Sequence, residues 1–333
     1  MKKKLIRAAL GIVFLGIALF NVDFNKIVTN LKNCDYLFLL SAAVASFCGL
    51  FVILWIRNQV LNVIAKTPYG VMVKAYFAAN YINSITPANL GGLLGEPWGF
   101  YSFSKGMISF AQGLAFVILA TTVQNIRRII LSIIGLILFY KMLPKEYISI
   151  ILLAVLVYLS YTGVFLLAIF QNHIPSFFVK PFKAVLQKLS RGFVSKIFSA
   201  RLKSLPENIR ENFGLLITSK TVYAGLAALI ITDVLLEGFR MWLLLLSFGV
   251  KFDFRLILII PSLVYSVTVL PVSIGGLGIS ELSGIVVLQI FGISPEIALS
   301  VIFLDRFLFS YWGIVFGWIF VPYMKIPRKE AVW

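Results

Sequence analysis

The chain has 333 residues, of which 60% are hydrophobic and only 13% are charged, and its mean hydropathy is +0.97. These values exclude an ordinary water-soluble domain. They predict an all-α polytopic membrane protein, because apolar runs long enough to cross a bilayer recur along the sequence. The formal net charge of +17 does not indicate nucleic acid as a partner, since the basic residues flank apolar runs, where they attract anionic lipid headgroups.

The N-terminal part of the chain predicts two spans joined by a short helix. The apolar run at residues 5–20 has a basic leading end and no convincing cleavage site, so we expect a retained span with a cytoplasmic N-terminus. Residues 23–32 place apolar side chains on one helical face, which favours an interfacial helix. A second span is expected over residues 36–56. We interpret Arg57 as the basic end that returns the chain to the cytoplasm.

Two glycine-rich segments interrupt the apolar sequence at a distance from each other. Each has the order apolar run, proline, three residues, Gly-Gly, a further glycine and a glutamate. Proline lacks an N–H donor and glycine weakens helices, so we expect helix to stop at both segments. Paired breaks of this kind are typical of transport sites built from two re-entrant hairpins in an inverted repeat, although two surface loops are the alternative. The residues are Pro87, Gly91, Gly92, Gly95 and Glu96 in the first segment, and Pro271, Gly275, Gly276, Gly278 and Glu281 in the second.

These segments, NYINSITPANLGGLLGEP and LPVSIGGLGISE, resemble the two signature segments of the flippase-like family that includes the transmembrane region of lysylphosphatidylglycerol synthase. The similarity covers nearly the whole chain. It implies a polytopic inner-membrane protein, and the best-understood branch moves aminoacylated phospholipid between leaflets. The chain departs from many members at Pro97-Trp98, where they carry Arg soon after the Glu, and at Gln124-Asn125, where they carry Glu-Arg. These departures bear on the substrate more than on the fold.

The middle of the chain contains one ambiguous stretch and one basic stretch. Two arginines interrupt the apolar run at residues 107–141, but no Gly or Pro accompanies them. We therefore expect one long tilted helix, and two crossings are the alternative. A further span is expected at 147–170. Residues 171–220 carry nine Lys/Arg, and an apolar stripe within them predicts a cytoplasmic amphipathic helix near 177–199. This linker divides one integral membrane domain into a first half (about 1–170) and a second half (about 221–325).

The second half predicts further membrane segments, which brings the expected total to about seven to eight transmembrane helices plus the two re-entrant hairpins. An apolar run at 221–249 is followed by one at 254–270 that leads into the second break. A short segment near 282–292 and a final span at 296–322 complete the chain. The side of the membrane on which the C-terminus lies is left open.

Ionisable residues at membrane depth are costly and are usually paired or functional. We interpret Asp233, Glu237 and Asp305 as members of interhelical ion pairs, and we expect Glu96 and Glu281 to be functional because each follows a glycine-rich break. Arginine binds phosphate with two parallel hydrogen bonds, which makes the arginines candidate headgroup ligands. The predicted substrate-binding and translocation residues are Asn80, Asn83, Pro87, Gly91, Gly92, Glu96, Arg127, Arg128, Arg240, Pro271, Gly275, Gly276, Glu281 and Arg306.

Two main classes of function agree with these patterns. The first is a lipid transporter of the cytoplasmic membrane, with membrane lipids as partners: anionic or aminoacylated phospholipid, and no nucleic acid. The second is a membrane-embedded lipid-modifying enzyme, and a third, weaker class is an accessory subunit. We expect no enzyme activity and no cofactor, since the chain has no P-loop, no serine–histidine pair, no histidine-rich metal cluster and no appended synthase domain. A homodimer is left open.

Overall fold

The computed structural model describes residue 16 and residues 23–84, 90–170, 205–270, 276 and 278–324. Every regular element within these ranges is helical. The expected first span at 5–20 and the expected amphipathic helix near 177–199 lie outside the described residues and stay predictions. In chain order the helices are α1 (Phe24–Lys32), α2 (Tyr36–Leu61), α3 (Tyr69–Ser84), α4 (Leu90–Phe103), α5 (Phe110–Phe139), α6 (Lys145–Phe170), α7 (Leu205–Thr218), α8 (Lys220–Ser247), α9 (Phe254–Ile257), α10 (Ile260–Ser266), α11 (Ile279–Gln289), α12 (Pro295–Arg306) and α13 (Trp312–Phe320).

Five helical segments in the described residues are long and apolar enough to cross a bilayer. They are α2, α5, α6, α8 and the run Pro295–Tyr323, in which α12 continues through a π-helical turn at Phe307–Tyr311 into α13. Their outward faces carry exposed apolar side chains, such as Leu37 on α2 and Ile137 on α5, which suits contact with lipid. The all-α polytopic membrane architecture is therefore confirmed. The total of seven to eight spans stays a prediction.

Helix α5 is a single helix of 30 residues, as expected for one long crossing. It begins at a capping box, in which the Ser109 hydroxyl accepts from the Gln112 N–H and the Gln112 side chain accepts from the Ser109 N–H. No interruption occurs at Arg127 and Arg128. Each arginine has polar partners on other helices, so helix can continue through both residues at membrane depth.

At the first glycine-rich segment helix stops, as expected, but it resumes before the glycines. Helix α3 ends at Ser84, but α4 begins at Leu90 and runs through Gly92, Gly95 and Pro97. Gly95 serves packing, as does Gly99 in the same helix, because a Cβ at Gly95 would lie 3.2 Å from Ala79 Cα and a Cβ at Gly99 would lie 2.8 Å from Ala75 Cα. Small residues four apart let two membrane helices approach closely. Pro87 and residues 85–89 lie outside the described residues.

The second glycine-rich segment is an interruption, as expected. Helix α10 is followed by a 3₁₀ turn at Val267–Val269, and helix resumes only at Ile279. Gly276 and Gly278 have φ values of +71° and +82°, which only glycine adopts without strain. Pro271 and Gly275 lie outside the described residues. The two segments therefore share a sequence order but use their glycines differently.

The buried apolar side chains form two large clusters, and α5 and α8 pass through both of them. Residues 110–120 of α5 lie in the cluster with α2, α3, α4 and α7, whereas Ile129, Leu136 and Phe139 lie in the cluster with α6, α10, α11 and α12. Val222 of α8 lies in the former and Met241 in the latter. The polar stretches of α5 and α8 therefore meet between the two clusters.

Candidate functional site

A cavity of about 290 Å³ lies at this boundary and is lined by side chains from α2, α3, α4, α5, α6 and α8. Its walls are unusually polar for a bundle whose outer faces are apolar. Three cations and three anions reach it, and they come from four helices. The charged lining residues are Arg57, Glu96, Arg127, Arg128, Asp233 and Glu237.

Uncharged polar groups and residues at both glycine-rich segments complete the lining. Three tyrosines (Tyr76, Tyr158, Tyr161) and four amides (Asn80, Asn83, Gln124, Asn125) contribute. The first segment contributes Gly92 and Leu93 of α4, and Thr268 and Val269 lie immediately before the second segment. Both segments thus border one shared cavity.

Asn83 of α3 contacts the start of α4. Its Oδ1 atom accepts a hydrogen bond of 3.1 Å from the N–H of Gly92, in the first turn of α4. This side chain on α3 therefore satisfies one of the backbone donors that a helix start leaves without an intrahelical partner. Further along α4, Pro97 has no N–H to donate to the carbonyl of Leu93, a residue that lines the cavity.

Arg57 and Glu96 form a buried ion pair across α2 and α4, with Nη2 2.5 Å from Oε1. The guanidinium also lies over the ring of Phe116 at 5.1 Å and over that of Tyr76 at 5.8 Å. Such stacking is favourable for a desolvated arginine. The expectation that the second span closes at Arg57 is wrong, because α2 continues to Leu61 and the arginine is buried in the bundle.

Arg127 and Glu237 form a two-fold hydrogen-bonded pair between α5 and α8, with N···O distances of 2.8 and 3.2 Å. Arg128 lies 3.9 Å from the same carboxylate and donates to the carbonyl oxygen of Tyr265 at 3.3 Å. One carboxylate therefore faces two guanidinium groups. Glu237 is an interhelical ion-pair partner, as expected.

Asp233 lies one helical turn before Glu237 on α8 and is buried against the cavity. Its Oδ2 atom accepts from the Gln124 side-chain amide on α5 at 3.4 Å, a long contact from an uncharged donor. We expected Asp233 to belong to an ion pair, but in the described residues no arginine contacts it directly. Of the three carboxylates that line the cavity, Asp233 is the one that has no guanidinium group within hydrogen-bonding distance among the described residues.

A second buried polar cluster, outside the cavity lining, joins α8, α10, α11 and α12. Arg240 donates to both oxygens of Asp305, to Oδ2 at 3.2 Å, and the Tyr265 hydroxyl donates to the same carboxylate. Arg306 donates to Glu281 at 2.7 Å and to the Ser280 hydroxyl at 2.5 Å. The four charges of this cluster are thus neutralised pairwise within the bundle.

Glu281 also caps the helix that follows the second break. Its Oε2 atom accepts from the Gly278 N–H at 2.7 Å and from the Ser280 hydroxyl at 2.9 Å. With Arg306 on the other oxygen, the carboxylate is fully engaged in holding α11 against α12. These contacts describe a structural role, in contrast to Glu96, which lies on the cavity wall.

The predicted site residues therefore separate into two groups. The first lines the cavity: Asn80, Asn83, Gly92, Glu96, Arg127 and Arg128. The second lies around the Glu281–Arg306 and Arg240–Asp305 pairs, where the Gly276 carbonyl also accepts from Arg306 at 3.3 Å. Gly91 lies in the first turn of α4, and Pro87, Pro271 and Gly275 lie outside the described residues.

Sequence reasoning missed five of the residues that line the cavity: Arg57, Asp233 as a cavity-facing acid, and the three tyrosines. The spacing of Asp233 and Glu237, four residues apart, did indicate a shared helical face. No comparable signal identifies Arg57, because its partner lies 39 residues further along the chain. Within the described ranges, no cluster of His, Cys, Asp and Glu has the geometry to hold a metal ion.

Comparison with known proteins gives one match. The family model described as the lysylphosphatidylglycerol synthase TM region matches residues 4–317, which is nearly the whole chain. No curated protein and no solved structure matches the chain significantly.

Proposed function

The chain belongs to the family of the lysylphosphatidylglycerol synthase transmembrane region and is a multi-pass membrane protein, and from this premise we propose that it moves a polar-headgroup lipid between the leaflets of the cytoplasmic membrane. The observation that carries the proposal is the cavity of about 290 Å³ with six charged side chains on its walls. Buried charges in a membrane bundle are expensive, so a charged cavity favours a site for a polar substrate over simple packing.

The hairpins support the same proposal. Helices α3 and α4 have 16 and 14 residues, which correspond to about 24 Å and 21 Å, whereas a bilayer core is about 30 Å thick. Each arm is therefore shorter than an upright span, as a re-entrant hairpin requires. Because the second hairpin also reaches the cavity through Thr268 and Val269, the two breaks suit a shared site near the midplane.

In this proposal the headgroup occupies the cavity while the acyl chains stay in the bilayer. The volume of about 290 Å³ lies just below the range for small-molecule pockets, which begins at about 300 Å³, so the cavity accommodates a headgroup but not two lipid tails. The ion pairs between helices would hold the cavity closed in the absence of lipid. Exchange of these pairs for contacts with the headgroup provides a route by which the helices separate.

Leaflet exchange in reconstituted vesicles tests the proposal. Purified protein is placed in liposomes that contain a phospholipid with a fluorescent acyl chain, and a membrane-impermeant reductant bleaches the label in the outer leaflet. A transporter allows more than half of the label to be bleached, whereas protein-free vesicles leave the inner leaflet protected. Thin-layer chromatography of the same vesicles detects covalent change of the lipid, and such a change without leaflet exchange would favour the enzyme.

A further inference from the structure

The charges around the cavity are balanced but unevenly distributed. Three arginines face three carboxylates, so the lining has no net formal charge. Glu96 is paired with Arg57, and Glu237 is paired with Arg127 and lies near Arg128. Glu237 thus faces two arginines, whereas Asp233, one helical turn away, has no arginine in hydrogen-bonding contact among the described residues.

The arginines provide the groups that can hold a phosphate. Arg57 and Arg127 both line the cavity, and each binds a carboxylate, Glu96 or Glu237, through its Nη atoms. Their Nε atoms have no acceptor among the described residues, but these atoms also have almost no accessible surface and so do not face the cavity. Guanidinium groups bind phosphate, like carboxylate, with two parallel hydrogen bonds, so a headgroup phosphate can compete with these carboxylates for the two arginines.

Asp233 provides the complementary feature. Its buried carboxylate is met by the Gln124 amide at 3.4 Å, and an ammonium group could replace this long contact with a charge-assisted hydrogen bond. The carbonyl oxygen of Gln124 would then be a second acceptor beside it. A primary ammonium donates up to three hydrogen bonds, whereas a quaternary ammonium donates none.

We propose that the cavity selects a zwitterionic phospholipid headgroup with a primary amine, the class of phosphatidylethanolamine, with the phosphate at Arg57 and Arg127 and the ammonium at Asp233. This inference deepens the proposed transport function by naming its substrate class. An anionic headgroup would bring a phosphate but no cation for Asp233. A headgroup with two ammonium groups would leave one of them without a carboxylate partner, because Glu96 and Glu237 are already engaged.

The test compares three lipids that share one fluorescent acyl chain and carry ethanolamine, choline or glycerol headgroups. Leaflet exchange by the wild-type protein is expected to be about tenfold or more faster for ethanolamine than for glycerol, because one charge-assisted hydrogen bond distinguishes them. Choline is expected to be intermediate. Asp233→Asn is expected to abolish the preference for ethanolamine. The matched control Asp253→Asn changes an exposed aspartate that caps α9, where asparagine caps equally well.

A binding measurement separates this inference from the transport proposal. Each of the three lipids is added to the protein in detergent micelles, and the shift in Tm is recorded for wild type and both variants. An ethanolamine-specific Tm increase that Asp233→Asn removes supports the inference even if no lipid crosses the membrane, in which case the transport proposal fails. Equal Tm shifts and equal exchange rates for the ethanolamine and glycerol lipids would overturn the inference even if both lipids are transported.

Discussion

Arg57 of α2 and Glu96 of α4 lie 2.5 Å apart on the cavity wall, and their ion pair ties the first hairpin to a membrane span. The pair is buried and its guanidinium is stacked against Phe116. A substrate phosphate that approached Arg57 would compete directly with Glu96. In the proposed transport, this contact would therefore connect headgroup binding to the position of α4.

Neutralising one partner of this pair is expected to destabilise the protein. Glu96→Gln leaves the buried guanidinium of Arg57 without its counter-charge, and the cost of breaking a buried pair is about 3–5 kcal/mol in unfolding free energy. The double variant Arg57→Gln/Glu96→Gln removes both charges and should recover a large part of that loss. Reversible unfolding of the wild type, Arg57→Gln, Glu96→Gln and the double variant in mixed micelles measures the coupling between the two sites. Strictly additive effects of the two substitutions would contradict the pair.

The close approach of α13 to α3 provides a second prediction. Gly313 and Gly317 are four residues apart, and a Cβ at Gly317 would overlap the carbonyl oxygen of Phe77. Gly317→Ala should therefore force the two helices apart and lower both Tm and leaflet exchange. The matched control is Gly163→Ala on α6, where a Cβ meets no atom within 4 Å. Since alanine favours helix over glycine by about 1 kcal/mol, the control should be neutral or slightly stabilising.

Glu281 is expected to behave differently from the cavity residues. Glu281→Gln removes the charge that faces Arg306 and weakens the cap of α11, so Tm should fall. The preference among lipid headgroups should not change in the protein that remains folded, because Glu281 does not line the cavity. The comparison uses Tm together with the ethanolamine-to-glycerol ratio of exchange rates. An altered ratio with an unchanged Tm would show that Glu281 contacts the substrate.

Much of the fold could be predicted from the sequence, because the length of an apolar run largely determines where a membrane helix lies. The spans over 36–56, 147–170 and 221–249 correspond to α2, α6 and α8, and the ambiguous stretch 107–141 is one helix. The pairing of Arg57 with Glu96 could not be predicted from the sequence. A basic residue after an apolar run usually marks the end of a span, and only the tertiary approach of α4 makes this one internal.

The glycine-rich segments show a different limit of sequence reasoning. Gly276 and Gly278 adopt positive φ and interrupt the helix, whereas Gly95 and Gly99 lie within α4 and allow it to pack against α3. Propensity alone treats all four as helix breakers. The spacing of four between Gly95 and Gly99 is the signal for helix packing, and Gly313 and Gly317 repeat it on α13.

The most direct test of the transport account fills the cavity without changing a charge. Thr121 lines the cavity on α5, and Ile130, 52% exposed on the outer face of the same helix, provides the matched position. In the leaflet-exchange measurement, Thr121→Trp should reduce exchange to the rate of protein-free vesicles, while Ile130→Trp should retain the wild-type rate at equal amounts of folded protein. Wild-type exchange in Thr121→Trp would contradict passage of the headgroup through this cavity.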